Sequence, residues 1–269
     1  RGRGLNFEEM RDYLPGDDVR SIDWKATART GSPHVRVFTE ERDRPALLVV
    51  DQRMSMFFGS QLNMKSVSAA EAAAIAAFRI MDAGDRVGGI VFNEDEQLEF
   101  IPRRSRRSVY ALLEATAQMN SDLYADKAVE RKSDSLNGVL QSAVRLAHHD
   151  HLVIVMSDFD GINDQTHRHV SNLARHNDLI LMHVHDPAIT NIGSRGKAVL
   201  GNVAQQAEVD LGSQTARAAL NQVGEERLQQ IYDWQTEIKL SVVPLSAGEE
   251  TLPQIRRLLA SAGPRRRIR

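Results

Sequence analysis

The sequence predicts an α/β protein built on a doubly wound, mostly parallel sheet, and three observations carry that prediction. Two continuous apolar runs, Ala46-Leu47-Leu48-Val49-Val50 and Leu152-Val153-Ile154-Val155-Met156, each lead into an aspartate, Asp51 and Asp158. Apolar runs without alternation are the pattern of central strands covered on both faces. The segments around them alternate between helical and strand periodicity, the order that crossover helices on a parallel sheet require.

The elements follow in order. Residues 1–44 stand outside the alternation and read as an irregular N-terminal lead-in packed on the main domain, ending in a strand near residues 35–39. The main domain, residues 45–262, opens with the strand that ends at Asp51. An alanine-rich stretch with Ile75, Phe78 and Ile80 predicts a buried helix over 66–81. Residues 85–92 read as a second strand and 98–101 as its hairpin partner. Val109, Leu112, Leu113 and Ala117 predict a helix over 105–119, and Leu136, Val139, Leu140, Val144 and Leu146 another over 135–147. After the strand that leads to Asp158, Asn163 is placed to cap a helix running to about residue 175, and 179–185 reads as a strand. Residues 186–214 carry Pro187, Gly193, Gly196, Gly201 and Gly212 and read as a loop with short strands. A helix over 215–234, a strand over 238–243 and a helix over 251–260 complete the domain. Residues 263–269 form a basic tail with Arg265, Arg266, Arg267 and Arg269.

Composition narrows the function. Hydrophobic residues make up 42% of the 269 and charged residues 26%, enough for a sizeable core. A net charge of -2 gives no global reason to expect nucleic acid or an anionic membrane as partner. With no cysteine, disulfides, thiolate metal sites and cysteine nucleophiles are excluded, and a cytoplasmic location is expected. No apolar run approaches the roughly 18 residues of a membrane span. The chain begins at Arg1 without a methionine and reads as a piece of a longer protein, membrane-associated if an anchor precedes it.

In an open parallel sheet, ligands bind at the carboxyl ends of the strands where strand order reverses. Asp51 and Asp158 stand at such ends. A carboxylate followed by hydroxyls two and four positions on presents three oxygens to a hard cation such as Mg²⁺. Here the run is Asp51-Gln52-Arg53-Met54-Ser55, with Arg53 in the middle position.

The lead-in carries a resemblance. Arg11-Asp12-Tyr13-Leu14-Pro15-Gly16-Asp17-Asp18-Val19-Arg20-Ser21-Ile22-Asp23-Trp24, then Thr27-Ala28-Arg29-Thr30-Gly31 and Glu40-Glu41-Arg42, resemble the signature of the domain of unknown function family fifty-eight. The match runs without gaps from Gly4 to about Ser60 and continues more faintly through Asp85-Arg86-Val87-Gly88 and Ser157-Asp158. The signature positions are Arg11, Tyr13, Pro15, Gly16, Asp17, Asp18, Arg20, Asp23, Trp24 and Arg29.

That family is similar to von Willebrand factor A domains, and its members are commonly encoded beside MoxR-type AAA+ ATPases. The resemblance implies a Rossmann-like fold of the von Willebrand factor A type. It also implies a non-enzymatic adaptor or co-chaperone serving such an ATPase and an unidentified protein client. In intact members it implies a metal-ion-dependent adhesion site. Position by position, Asp51 matches that site's first aspartate, Ser55 its second serine and Asp158 its late aspartate. Arg53 replaces the first serine, and the threonine falls at Asp134 or Ser135, neither a threonine. The expected site is therefore degenerate, with Asp51, Ser55 and Asp158 left as ligands for Mg²⁺. A guanidinium, always charged, can pair with Asp51 or Asp158 where the cation would sit. The crevice around these residues, flanked by the lead-in, is the expected partner surface.

Other clusters have plainer readings. Arg11, Asp17, Asp18 and Arg20 through Asp23 read as an ion-pair network pinning the lead-in rather than as a catalytic cluster, with Tyr13 and Trp24 as its apolar anchors. His183 and His185, two apart on a strand, share one face and could both ligate zinc, and with Asp186 His185 could join Asp51 and Asp158. With no defined spacing motif, these and His148, His149 and His151 are expected to be solvated or hydrogen-bonded. Arg103, Arg104, Arg106 and Arg107 open a helix and read as a solvated or docking face. The sequence contains no P-loop, G-x-S-x-G or H-E-x-x-H motif. The alternative function is a Mg²⁺-dependent hydrolase using Asp51 as nucleophile and Asp158 as ligand. Arg53 opposes it, standing where an aspartyl-phosphate enzyme places its second aspartate.

Overall fold

The structure is a computed structural model and describes residues 5–40, 44–124, 135–187, 197–202, 205–210, 227–238 and 240–261. Asp134, residues 215–226 of the expected helix and the basic tail lie outside the described residues. The chain divides into two compact units, Arg1–Asp43 and Arg44–Arg269.

The first unit corrects the expectation of an irregular lead-in. Strands β1 (Leu5–Asp12) and β2 (His34–Glu40) pair antiparallel, with helix α1 (Trp24–Thr30) between them in sequence. Between β1 and α1, Gly16 turns the chain at φ 109°, in the region that glycine occupies without strain. Arg11 grips Asp17 with two hydrogen bonds of 2.7 and 2.8 Å. That pair and the Leu14 amide hold the Asp17 carboxyl down at about 2. Asp18 accepts from the Arg20 amide and closes the short 3-10 turn Val19–Ser21, and Asp23 caps α1 by accepting from Lys25 and Ala26. Tyr13 is half-buried. Trp24 is 69% exposed, so within the described residues it is no apolar anchor.

The second unit holds the predicted sheet. Its strands are β3 (Ala46–Asp51), β4 (Val87–Phe92), β5 (Gln97–Arg103), β6 (Leu152–Ser157), β7 (Asp178–His185) and β10 (Leu240–Ser246). They lie in the order β10-β7-β6-β3-β4-β5, all parallel except the edge strand β5. Counted along this unit the order is 3-2-1-4-5-6, the doubly wound arrangement whose switch point falls between β3 and β6. Two more strands, β8 (Lys197–Asn202) and β9 (Gln205–Asp210), pair antiparallel within the segment read as a loop with short strands.

Successive strand residues point to opposite faces, so each apolar run feeds two cores. On one face Leu47, Val49, Val153, Val155 and Leu181 pack against α4 (Ser135–Leu146), α5 (Asp164–His176) and α6 (residues 227–237). On the other, Leu48, Val50, Ile154, Met156 and Val184 meet α2 (Lys65–Asp82), α3 (Arg106–Ser121) and α7 (Thr251–Ser261). Ala69, Ala72, Ala73 and Ala77 line the buried stripe of α2, where the absence of long side chains allows close approach to the sheet. Asn163 caps α5 with a full capping box, completed by Thr166. Among the described residues, no helix is long and apolar enough to cross a membrane.

Gly89 of β4 shows how tight the second face is. A Cβ there would lie 2.5 Å from the Leu48 carbonyl oxygen and 2.9 Å from a Leu112 methyl. Gly89→Ala should therefore destabilise the domain by about 1–3 kcal/mol through overpacking, measured by urea denaturation. An unchanged midpoint would contradict that packing.

Candidate functional site

The switch point brings two strand-end carboxylates together. Val50 pairs with Met156, so Asp51 ends β3 beside Ser157, and Asp158 follows immediately. Asp51 is fully buried and Asp158 is 4% exposed.

Arg53 lies between them. Its backbone N–H donates to Asp51 Oδ1 at 2.9 Å, its Nε to the same oxygen at 3.0 Å, and its Nη2 to Asp51 Oδ2 at 2.7 Å. The same Nη2 stands 3.7 Å from Asp158 Oδ1, and Nη1 donates to the Asp160 carbonyl at 3.1 Å. The guanidinium also lies over the Phe92 ring, 5.7 Å from its centroid. Burial alone would lower the Arg53 pKa, but Asp51 beside it more than reverses this and raises it.

Asp158 has a second cation. Lys65 Nζ donates to Asp158 Oδ2 at 2.7 Å, and both side chains are buried. Burial would raise the Asp158 carboxyl, yet Lys65 and Arg53 hold it down at about 2. Ser55 Oγ donates to Asp158 Oδ1 at 3.3 Å, and Ser157 Oγ donates to Asp51 Oδ2 at 2.6 Å. Phe159 adopts φ 54°, uncommon for a bulky residue, and its amide donates to Ser157 Oγ at 2.8 Å. This sharp turn also lets the Asp160 amide reach Asp158 Oδ1 at 3.0 Å.

Two further charged groups border the site. Arg227 of α6 pairs with Asp160 at 2.5 Å. Glu94, in the β4–β5 turn, accepts from the Met54 amide at 2.6 Å, and burial raises its carboxyl pKa.

The structure therefore brings Asp51, Arg53, Ser55 and Asp158 together. Ser135, which heads α4, has a buried hydroxyl with no hydrogen-bond partner among the described residues. Lys65, Glu94 and Arg227 are not singled out by the sequence, and Ser157 enters there only as part of the family resemblance. Lys65 had a usable signal. It heads an 18-residue helix with no acidic residue in its first turn, where the helix dipole disfavours a cation, so a carboxylate partner was called for.

The donor set does not fit a divalent cation. Both Asp51 oxygens already accept from Arg53, and Asp158 is held by Lys65, Ser55 and the Asp160 amide. Among the described residues no group of three or more His, Asp or Glu is placed to hold a metal. Asp51, Arg53, Lys65 and Asp158 are themselves exposed by 8% or less, and the loop after β3 lies beside them at this end of the sheet. There Met54, Ser55, Phe57 and Phe58 are half-buried and Leu62 is 56% exposed.

The histidines on β7 depart from expectation. His183 is 6% exposed, stacks on His185 at 5.6 Å, and its Nδ1 is buried without a partner among the described residues. Burial, reinforced by His185, lowers the His183 pKa to about 3. Asp186 is engaged away from the central pair, accepting from the Ser60 amide at 2.8 Å and hydroxyl at 2.5 Å.

Two outcomes follow. Lys65→Met leaves Asp158 undercompensated in the interior and should destabilise the domain by about 3–5 kcal/mol. The exposed pair Arg44–Asp178 is the control: Arg44→Met should change stability by less than about 1 kcal/mol in the same urea titration. For His183 the folded pKa lies below the unfolded value of 6.5, so its contribution is complete above that pH. It is lost as pH falls from 6.5 toward about 3, because the unfolded chain binds a proton the folded chain refuses. His183→Phe should therefore flatten the pH dependence of the melting temperature across that window, and identical slopes would refute the assignment.

Comparison with known proteins places the chain. Uncharacterized proteins of Mycobacterium tuberculosis and Mycobacterium bovis are each 30% identical to it over 200 residues, 74% of this chain and 61% of theirs. The chain thus spans 61% of the length of the curated relatives it matches. Among solved structures, BatB from Bacteroides thetaiotaomicron aligns at TM-score 0.47 and 12% identity, covering 81% of this chain and 97% of its own. The von Willebrand factor A domain of SpRpn10 aligns at TM-score 0.40 and 8% identity, covering 80% and 94%. Residues 9–230 match the family described as protein of unknown function DUF58, and the chain belongs to that family.

Proposed function

We propose that this domain is a non-enzymatic protein-binding adaptor that works with a MoxR-type AAA+ ATPase and presents the carboxyl end of its sheet to a partner. One observation carries the reading: at the position where a hydrolase would keep a free carboxylate, both Asp51 oxygens are bound by Arg53, with Ser157 as a further donor. A nucleophile so engaged would have to break buried, charge-assisted bonds before attacking. The loop beyond it offers Met54, Phe57, Phe58 and Leu62 at or near the surface. Methionine and aromatic residues are enriched in protein interfaces, and loops on a rigid scaffold are where binding surfaces sit. The choice of a MoxR-type ATPase rests on the family resemblance of the lead-in.

Calorimetric titration of the host's MoxR-type ATPase, with and without ATP, tests the proposal. Association is expected in at least one nucleotide state. Leu62→Asp should weaken it about tenfold or more while leaving the circular dichroism spectrum unchanged, since the residue is already exposed. Absence of binding in every nucleotide state would refute the partner. Metal-dependent hydrolysis lost in Asp51→Asn would favour the enzyme reading instead.

A further inference from the structure

Two carboxylates that converge at a switch point carry two negative charges, and burial demands that these be balanced. In this chain the balance is complete without any ion. Arg53 Nη2 lies 2.7 Å from Asp51 Oδ2 and 3.7 Å from Asp158 Oδ1, and Lys65 Nζ lies 2.7 Å from Asp158 Oδ2. The four side chains are exposed by 8% or less. We infer that Arg53 and Lys65 together take the place of a divalent cation, so that this end of the domain keeps one electrostatic state at any metal concentration.

The inference reaches beyond the loss of a serine ligand at position 53. A divalent ion entering beside both cations would leave a net positive charge in a region that cannot solvate it. It would also need carboxylate oxygens turned toward it at about 2.0–2.1 Å, whereas these oxygens are aimed at nitrogen donors. Removing Arg53 alone does not open the site, because Lys65 still holds Asp158 and Ser55 still donates to the same carboxylate. Both cations must go before Asp51, Asp158 and the neighbouring hydroxyls can face a metal. The inference holds whichever partner the domain has.

Manganese titration of the whole chain, read by the electron paramagnetic resonance signal of free Mn²⁺, tests this directly. Wild type and Arg53→Ser are expected to leave low-millimolar Mn²⁺ free. Arg53→Ser combined with Lys65→Ala should bind it saturably, at least about tenfold more tightly than wild type, and adding Asp158→Asn should abolish that gain. Wild-type binding that disappears in Asp158→Asn would overturn the inference, as would a folded double variant no better than wild type. Should the double variant not fold, Arg53→Gln with Lys65→Gln keeps side-chain bulk while removing both charges. If that variant also unfolds, recovery of its circular dichroism spectrum on adding Mn²⁺ supports the substitution, and failure to recover counts against it.

Discussion

Asp51, Arg53, Asp158 and Lys65 form a buried ion lattice, and much of the surrounding chain takes its position from it. The parallel register of β3 and β6 puts the two carboxylates side by side. From Asp51, the Arg53 amide and guanidinium fix where the chain leaves β3 and enters the turn Met54–Met56. From Asp158, Lys65 ties down the first residue of α2, whose alanine stripe covers one face of the sheet. The Asp160 carbonyl returns to Arg53, and its carboxylate reaches Arg227 of α6 on the opposite face. One lattice thus joins elements from both layers.

Such a lattice is not a simple source of stability. Desolvating two acids and two bases offsets most of what their attraction returns, and well-packed apolar replacements of similar volume are often no less stable. What the lattice does impose is geometry. Any arrangement of these loops that separated one ion from its partners would leave an uncompensated charge in the interior. The strain at Phe159 fits this logic, since its left-handed backbone is held by a fully buried ring and by Ser157 Oγ, itself bonded to Asp51. A metal-bound version of the same crossing could exist in two states, with and without the ion. Covalently attached cations leave only one.

Most of the sheet was legible in the sequence, because strands buried on both faces write themselves as unbroken apolar runs. The helices α2 to α5 were equally plain, and Asn163 announced its own cap. In the first unit β2 was expected near residues 35–39, and β1 was the harder strand. β1 carries a register shift between Phe7 and Glu9, which breaks the period-two alternation by which a two-stranded ribbon is recognised. At the site, Asp51, Arg53 and Asp158 were found by their place at strand ends. Lys65 was not, because the apolar pattern of α2 is complete without it and its partner lies 93 residues away. Glu94 was missed for a related reason: the Met54 amide that donates to it lies in the loop after β3, 40 residues away in sequence.

The first unit separates two kinds of signature residue. Arg11, Gly16, Asp17, Asp18 and Asp23 are each engaged in local architecture: a two-pronged ion pair, a positive-φ turn and two backbone caps. Those roles account for their identities without any chemistry, because arginine alone offers the matching fork, glycine the free φ and aspartate the short acceptor that caps demand. Arg20, Trp24 and Arg29 differ, since all three are exposed and Trp24 leaves 69% of its surface open. Folding of a ribbon this small gives no reason for a tryptophan at the solvent-facing start of a seven-residue helix. The residues that carry the family resemblance therefore divide into those that build the unit and those that the unit displays.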